Sequence, residues 1–111
     1  MGAVPELDLL RIRKFCEGRI PPELRSKVRV EVGVRGKSVT LFECRPPWDG
    51  HGMEWTRQPI SQLRFDRATA RWTLHWADRN SRWHLYDFID PGTVGELLAE
   101  IDKDPTCIFW G

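Results

Sequence analysis

The middle of the chain alternates apolar and polar residues, which is the pattern of a β-strand with one buried face. Valines at positions 28, 30, 32 and 34 alternate with charged residues and glycine. Gly36-Lys37 suits a two-residue hairpin turn, which places Val34 opposite Val39 and continues the apolar face on a second strand. Phe42 and Cys44 then point to the other face.

Two further strands are predicted after the long loop Arg45–Trp55, which is rich in proline and glycine. Pro59 confines the start of the third strand to an edge or a bulge, because proline cannot donate to a ladder. A four-residue turn then places Phe65 opposite Trp72, so that apolar side chains pair with apolar side chains.

The stretch WTLHWADRNSRWHLYDF, residues 72–88, is nearly symmetric about its centre and predicts a third hairpin. A turn of two or four residues places Trp76 opposite Trp83 and His75 opposite His84. In that register both tryptophans face the core. Both histidines and Tyr86 face solvent.

Apolar residues recur at helical spacing near both ends of the chain. The first helix is predicted from Pro5 to about Glu17 and the second after Thr93, whose capping box uses Glu96. The expected buried stripes are Leu7, Leu9, Leu10, Ile12, Phe15 and Cys16 in the first helix, and Val94, Leu97, Leu98 and Ile101 in the second.

These elements predict an α+β fold in two layers, with a five-stranded antiparallel meander and both helices on its apolar face. One domain of 111 residues is expected. It comprises an N-terminal helical segment (1–27), the sheet (28–88), and a C-terminal helix with an apolar tail (89–111).

Charge and composition limit the function classes. The net charge of +1 argues against strong attraction of the whole molecule to nucleic acid or an anionic membrane, although residues 1–45 carry +4 and residues 87–111 carry −5. No apolar run approaches the ~20 residues of a membrane span, and no signal peptide is evident, so a cytoplasmic protein is expected. Three widely spaced cysteines predict reduced thiols rather than a disulfide framework.

The predicted pairing of His75 with His84 suggests a metal site. Directly opposed residues have Cβ atoms ~5 Å apart, so two imidazoles could share one zinc ion. The neighbouring strand offers only Gln62 opposite His75, which is a poor third ligand. Two exposed histidines without a metal are the simpler interpretation.

The polar sheet face is also a candidate ligand platform. Arginine, histidine and tyrosine on an open antiparallel sheet can contact phosphate and stack on bases, as in binders of single-stranded RNA. The chain lacks the aromatic motif of those proteins, and a solvated outer face is the competing interpretation. The predicted members are Gln62, Arg64, Thr73, His75, Arg82, His84 and Tyr86.

The long loop carries the residues best suited to acid–base chemistry. Asp49, His51 and Glu54 could act as general acids or bases beside Trp48, and with His75 and His84 they suggest a hydrolase acting on nucleic acid or another phosphoester. No known nucleophile, zinc or phosphate-loop motif frames them. A rigid structural corner is the alternative.

The tail residues Ile108, Phe109 and Trp110 are apolar, and such a tail frays unless something holds it. It is predicted to dock on its own fold, over Phe42 and Cys44, or on a second copy or partner.

Four motifs resemble a family of small bacterial proteins classed as a domain of unknown function: FECRPPW, WTRQPISQLRFD, WTLHWADRNSRWHLYD and EIDKDPTCIFWG. The resemblance covers nearly all of residues 39–111, with a variable helical N-terminus. It implies a bacterial, cytoplasmic origin and supplies no activity, cofactor or catalytic residue. Cys107 departs from it, because a small residue such as glycine is expected at that position, and this argues against a catalytic thiol.

The leading hypothesis is a non-enzymatic binding or interaction module without a cofactor, which acts with a protein partner or as a homodimer. Six tryptophans and an apolar tail motivate it. The hydrolase, with zinc as a possible cofactor, and the RNA-binding sheet are the alternatives.

Overall fold

A computed structural model describes residues 4–47 and 55–110 and confirms the predicted α+β architecture. The described part holds a five-stranded sheet in which every strand runs antiparallel to its sequence neighbour. A short 3₁₀ turn, Pro22–Leu24, follows the first helix. The elements are α1 (Glu6–Arg19), β1 (Arg29–Arg35), β2 (Ser38–Arg45), β3 (Thr56–Asp66), β4 (Arg71–Ala77), β5 (Trp83–Leu85) and α2 (Val94–Lys103).

Both helices pack on one face of the sheet, called here the inner face. Apolar side chains from alternate positions of β2, β3 and β4 meet the helices there, including Leu41, Leu63 and Leu74. The indole Nε1 of Trp72 donates a hydrogen bond to Asp8 of α1 at 2.8 Å. The opposite face, called the outer face, carries no helix within the described ranges.

Helix α1 buries a narrower stripe than the sequence predicts. Ile12 and Cys16 are buried, but Leu7 and Leu10 are 64% and 62% exposed. The line facing the sheet runs through Asp8, Ile12 and Cys16 at a spacing of four residues, and Leu7 and Leu10 lie on the other side of the helix. The prediction that these two leucines join the core is wrong.

The first two hairpins have the predicted registers. Val34 pairs with Val39, and Phe65 pairs with Trp72. The ladder between β2 and β3 shifts beside Pro59, where Ile60 has no partner on β2. The prediction of an edge or a bulge at Pro59 is therefore confirmed.

The third hairpin differs from its predicted register by one residue. Trp76 pairs with His84, and Ala77 pairs with Trp83. The cause is that the turn, residues 78–82, has an odd number of residues, and Ser81 adopts φ 61° in it. The backbone N–H of Asp78 donates to the carbonyl of Arg82, and the backbone N–H of Ser81 donates to the carbonyl of Asp78. The Asp78 carboxylate also accepts hydrogen bonds from the backbone N–H groups of residues 80 and 82.

This shift moves the side chains of β5 to the opposite faces, as a one-residue slip must. Trp83 lies on the outer face instead of the core. Tyr86 is only 1% exposed, and its hydroxyl donates a hydrogen bond to Glu100 of α2 at 2.7 Å. The prediction of an exposed Tyr86 on the polar face is wrong.

The C-terminal tail docks on its own chain. Asp104 ends α2 in the left-handed conformation, and its carboxylate accepts hydrogen bonds from the backbone N–H groups of Phe109 and Trp110. Phe109 is buried against the ring of Tyr86, so the tail packs on the inner face. Docking is as predicted, but its location over Phe42 and Cys44 is wrong, because those residues belong to the outer face.

The odd turn makes a prediction about stability. Ser81→Gly should raise the free energy of unfolding by about 0.5–1 kcal/mol, because glycine adopts positive φ without the cost that a side chain adds. Asp78→Ala should lower it, because two backbone donors lose their acceptor. Urea unfolding measures both changes. Ser38→Gly is the matched control, since the same substitution within a strand should destabilise; the turn assignment fails if Ser81→Gly also destabilises.

Candidate ligand-binding face

The outer face carries a groove of about 630 Å³ that crosses the sheet from β1 to the β4–β5 hairpin. Strand pairing places Arg35, Ser38 and Arg64 in one row at one end of it. Two residues further along the strands, Gly33, Thr40 and Gln62 form a second row. Phe42, Arg57, Pro59 and Trp83 line the remainder.

Arg64 is held in place by uncharged groups. Its Nε donates to Gln62 Oε1 at 2.7 Å, and Gln62 Nε2 donates to the Thr40 hydroxyl at 3.0 Å. Among the residues that the structure describes, no carboxylate forms an ion pair with Arg64 or with Arg35. The groove therefore presents positive charge that its own described walls do not neutralise.

Two other arginines of this face stack on aromatic rings. The guanidinium of Arg57 lies 4.1 Å from the centroid of Phe42 and 3.5 Å from Glu31. Phe42 in turn leans over Gly33, where an added Cβ would lie only 3.0 Å from Phe42 Cε2. The guanidinium of Arg29 lies 3.6 Å from the centroid of Trp55. These stacked arginines are fixed by contacts within the protein.

The outer face is more basic than the whole chain. Strand alternation and register place five arginines and two carboxylates on it, a net charge of +3, against +1 for the entire sequence. Such a local excess attracts anions even when the molecule is nearly neutral. The charged members are Arg29, Arg35, Arg57, Arg64, Arg71, Glu31 and Asp66.

His75 lies on the outer face with Gln62 paired on one side and Leu85 on the other. It is 8% exposed, and its Nε2 lies 2.9 Å from the hydroxyl of Thr73. Burial, assisted by the positive charge of Arg64, lowers the pKa of His75 to about 4. The imidazole is therefore neutral near pH 7.

His84 lies on the other face, because it pairs with Trp76. The two rings stack with centroids 4.7 Å apart, and His84 Nε2 lies 2.8 Å from Asp78 Oδ2. The hydrogen bond from His84 lowers the pKa of the Asp78 carboxyl to about 2. The prediction that His75 and His84 lie opposite each other on one sheet face is wrong. The geometric argument for a metal ion shared by the two imidazoles therefore no longer holds. No cluster of three or more ligating side chains occurs in residues 4–47 and 55–110.

The remaining predicted site residues fall into three groups: those in the groove, one in the core, and those outside the described residues. Gln62 and Arg64 lie together in the groove, as their registers predicted, whereas Tyr86 is in the core. Trp48, Asp49, His51 and Glu54 fall outside the described residues, as does the question of whether their loop covers the outer face.

Sequence reasoning missed part of the groove. The predicted first hairpin already places Arg35 on the polar face, but that residue was not connected with Arg64 on β3. An even turn would place Trp83 on the inner face, so its position in the groove was not predicted. The sequence feature that indicates the odd turn is Asp78, whose side chain favours a tight local turn.

Cys44 is buried on the outer face, opposite Arg29 on β1 and Arg57 on β3. Burial raises the pKa of its thiol, and the nearby carboxylate of Glu31 adds to the increase. The thiol therefore stays protonated at neutral pH and is a poor nucleophile.

Comparison with known proteins identifies a family for this chain. Residues 2–111 match the family described as a domain of unknown function, DUF3024. The chain belongs to the DUF3024 family. No curated protein and no solved structure matches this DUF3024 domain. Within the described ranges, neither helix has the length and apolar character needed to cross a bilayer.

The environment of His75 predicts a pH-dependent stability. Because its pKa is about 4 in the folded protein and 6.5 in an ordinary setting, the unfolded chain takes up a proton first as the pH falls. The free energy of unfolding should therefore decrease as the pH falls from 6.5 to 4. Below pH 4, His75 should cause no further decrease. Urea unfolding across this range, compared with His75→Gln, isolates the contribution.

An NMR titration of the imidazole protons provides the direct measurement, with His75→Gln identifying the signal. A His75 midpoint near 6.5 would contradict the buried, neutral imidazole.

Proposed function

We propose that this DUF3024 domain is a non-enzymatic binding module whose outer groove binds phosphate groups of a larger ligand. The observation that carries the proposal is the Thr40–Gln62–Arg64 chain of hydrogen bonds, which orients a guanidinium without neutralising it. Because Arg64 uses Nε for Gln62, its two terminal nitrogens are available, within the described residues, to donate side by side to an anion.

The position of Arg35 extends this site beyond a single anion. Arg35 and Arg64 both pair with Ser38, so their backbones are separated by two strand spacings, about 10 Å. Two arginines whose backbones lie this far apart can each reach a different phosphate of one chain-like ligand. A small anion would contact one of them.

The hydrolase hypothesis receives less support. The imidazole of His75 is buried and neutral, and His84 lies on the opposite face beside Asp78. The residues proposed for acid–base work therefore do not converge within the described part. That hypothesis now depends on Asp49, His51 and Glu54, which lie outside it.

A bacterial cytoplasm is the compartment that we propose for this module. Cys16, Cys44 and Cys107 are all free thiols, as expected for a protein in a reducing environment.

The arginine pair gives the direct test of phosphate binding. The double variant Arg35→Ala/Arg64→Ala should bind long-chain inorganic polyphosphate about tenfold more weakly or worse, because charge-assisted hydrogen bonds to two phosphates are lost. The salt dependence of the affinity should also become shallower. Isothermal titration calorimetry at several salt concentrations measures both effects.

Arg13→Ala/Lys14→Ala is the matched control, since it also removes two positive charges, from exposed positions of α1 in the other layer. An equal loss in Arg13→Ala/Lys14→Ala would mean that net charge, and not the groove, determines binding. Gln62→Ala should produce a smaller loss than Arg64→Ala, because it frees the guanidinium without removing it.

A second candidate function is association with a protein partner or a second copy through α1. Leu7 and Leu10 are large apolar side chains on the side of the helix away from the sheet, and both are more than 60% exposed. Exposed apolar pairs of this kind favour an interface.

This candidate predicts a change in oligomeric state. The full chain should have the molar mass of a dimer in size-exclusion chromatography with light scattering. The double variant Leu7→Ser/Leu10→Ser should have the molar mass of a monomer. Leu24→Ser, which alters another exposed leucine in the 3₁₀ turn, should have no effect. A monomer at all concentrations would contradict self-association.

A further inference from the structure

We propose that the ligand of the outer groove is a single strand of nucleic acid, with a base stacked on Trp83 and the backbone phosphates at Arg35 and Arg64. This inference rests on the proposed phosphate binding and identifies the chemical class of the ligand. The additional observation is that the indole of Trp83 lines the same groove as the two arginines.

Within the described residues, Trp83 differs from the other tryptophans because its indole has no aromatic or cationic neighbour. The odd turn places it on the outer face, where it lines the groove and is partly exposed. Among the described residues, no aromatic ring and no guanidinium lies against its indole. Every other described tryptophan has such a neighbour: Arg29 lies over Trp55, His84 stacks on Trp76, Arg19 lies over Trp110, and Phe65 packs on Trp72 at a tilt of 53°.

The distances suit a short stretch of nucleotides. Trp83 pairs with Ala77 and Arg64 pairs with Thr73, which is four residues earlier on β4. Four residues along a strand and two strand spacings across give a diagonal of roughly 16 Å from Arg64 to Trp83. That diagonal is long enough for about two or three nucleotides, the number that other open antiparallel sheets accommodate.

The groove floor offers hydrogen-bonding groups between these two ends. The side chains of Thr40 and Gln62 lie there, in the row next to Arg64. Hydroxyl and amide groups can contact sugar and base edges without a sequence requirement. The order across the face is therefore cationic, then polar, then aromatic, which matches phosphate, sugar and base.

The indole of Trp83, which has no aromatic or cationic neighbour among the described residues, favours one kind of polyanion over the others. An acidic peptide would satisfy Arg35 and Arg64 as well as phosphates do, but it gives no reason for an open aromatic plane beside them. A duplex keeps its bases stacked inside and cannot present one to Trp83. A single strand carries a π-face on every phosphate-bearing unit, so it can use both parts of the groove at once.

The test compares single strands that differ in one feature at a time. Fluorescence anisotropy of the full chain is measured with fluorescein-labelled decamers of deoxyuridine, of uridine, and of the abasic deoxyribose-phosphate backbone at one salt concentration. The base-containing decamers should bind about 5- to 150-fold more tightly than the abasic one, the range for stacking of one base. The tighter of the two base-containing decamers identifies the sugar that the groove prefers.

Trp83→Ala should abolish that advantage and leave the affinity for the abasic decamer unchanged. Trp83→Phe should retain most of it, because a smaller ring still stacks. Phe88→Ala is the matched control, since Phe88 is an aromatic side chain with 73% exposure that does not line the groove. Equal urea midpoints for the three variants establish that each folds.

Equal affinity for base-containing and abasic decamers would overturn the inference while leaving phosphate binding intact. Tighter binding of a duplex, or of a glutamate decamer, would overturn it as well. Loss of polyphosphate binding in Arg35→Ala/Arg64→Ala tests the proposed function separately, so the two failures are distinguishable.

Discussion

The Asp78 carboxylate is the group on which the rest of this structure depends. It accepts hydrogen bonds from the backbone of the β4–β5 turn and a third from His84, so the turn closes with an odd number of residues. Because side chains alternate along a strand, the parity of one turn decides which face every residue of β5 occupies. The core and the candidate site both follow from that choice.

On the inner face, this register sends Tyr86 into the core. Its hydroxyl meets Glu100 of α2, and its ring lies 5.1 Å from that of Phe109 in the tail. The tail is held by backbone N–H groups that donate to Asp104. Cys107 adopts φ 58° in this turn, which explains physically why a glycine-like residue was expected there.

The same register places Trp83 on the outer face. The arginines of that face have two kinds of environment. Arg29 and Arg57 lie over aromatic rings and so cover apolar surface. Arg64 is instead oriented by an amide and a hydroxyl, and no carboxylate among the described residues pairs with its charge. This division explains how a nearly neutral chain can present a basic groove without a basic sequence run.

Much of this fold was predictable from local pattern. Alternation of valines predicted the first hairpin and its register, and Thr93 with Glu96 predicted the capping box of α2. The placement of Gln62 and Arg64 on one face followed from the second hairpin. In each case the chemistry that determines the structure lies within a few residues, or in a period of two along a strand.

The third hairpin, the tail and the complete groove required the tertiary structure. The near-palindrome of residues 72–88 is centred between residues 79 and 80, so hydrophobic pattern alone favours an even turn and the pairing of Trp76 with Trp83. The side-chain hydrogen bonds of Asp78 and the space for Tyr86 between sheet and α2 select the other register. The amino-acid sequence by itself determined the strands, the helices and the layer they share. The face that Trp83 occupies was decided only in the tertiary structure, because the local hydrogen bonds of Asp78 act there together with the packing of Tyr86 against α2, which is more distant in sequence.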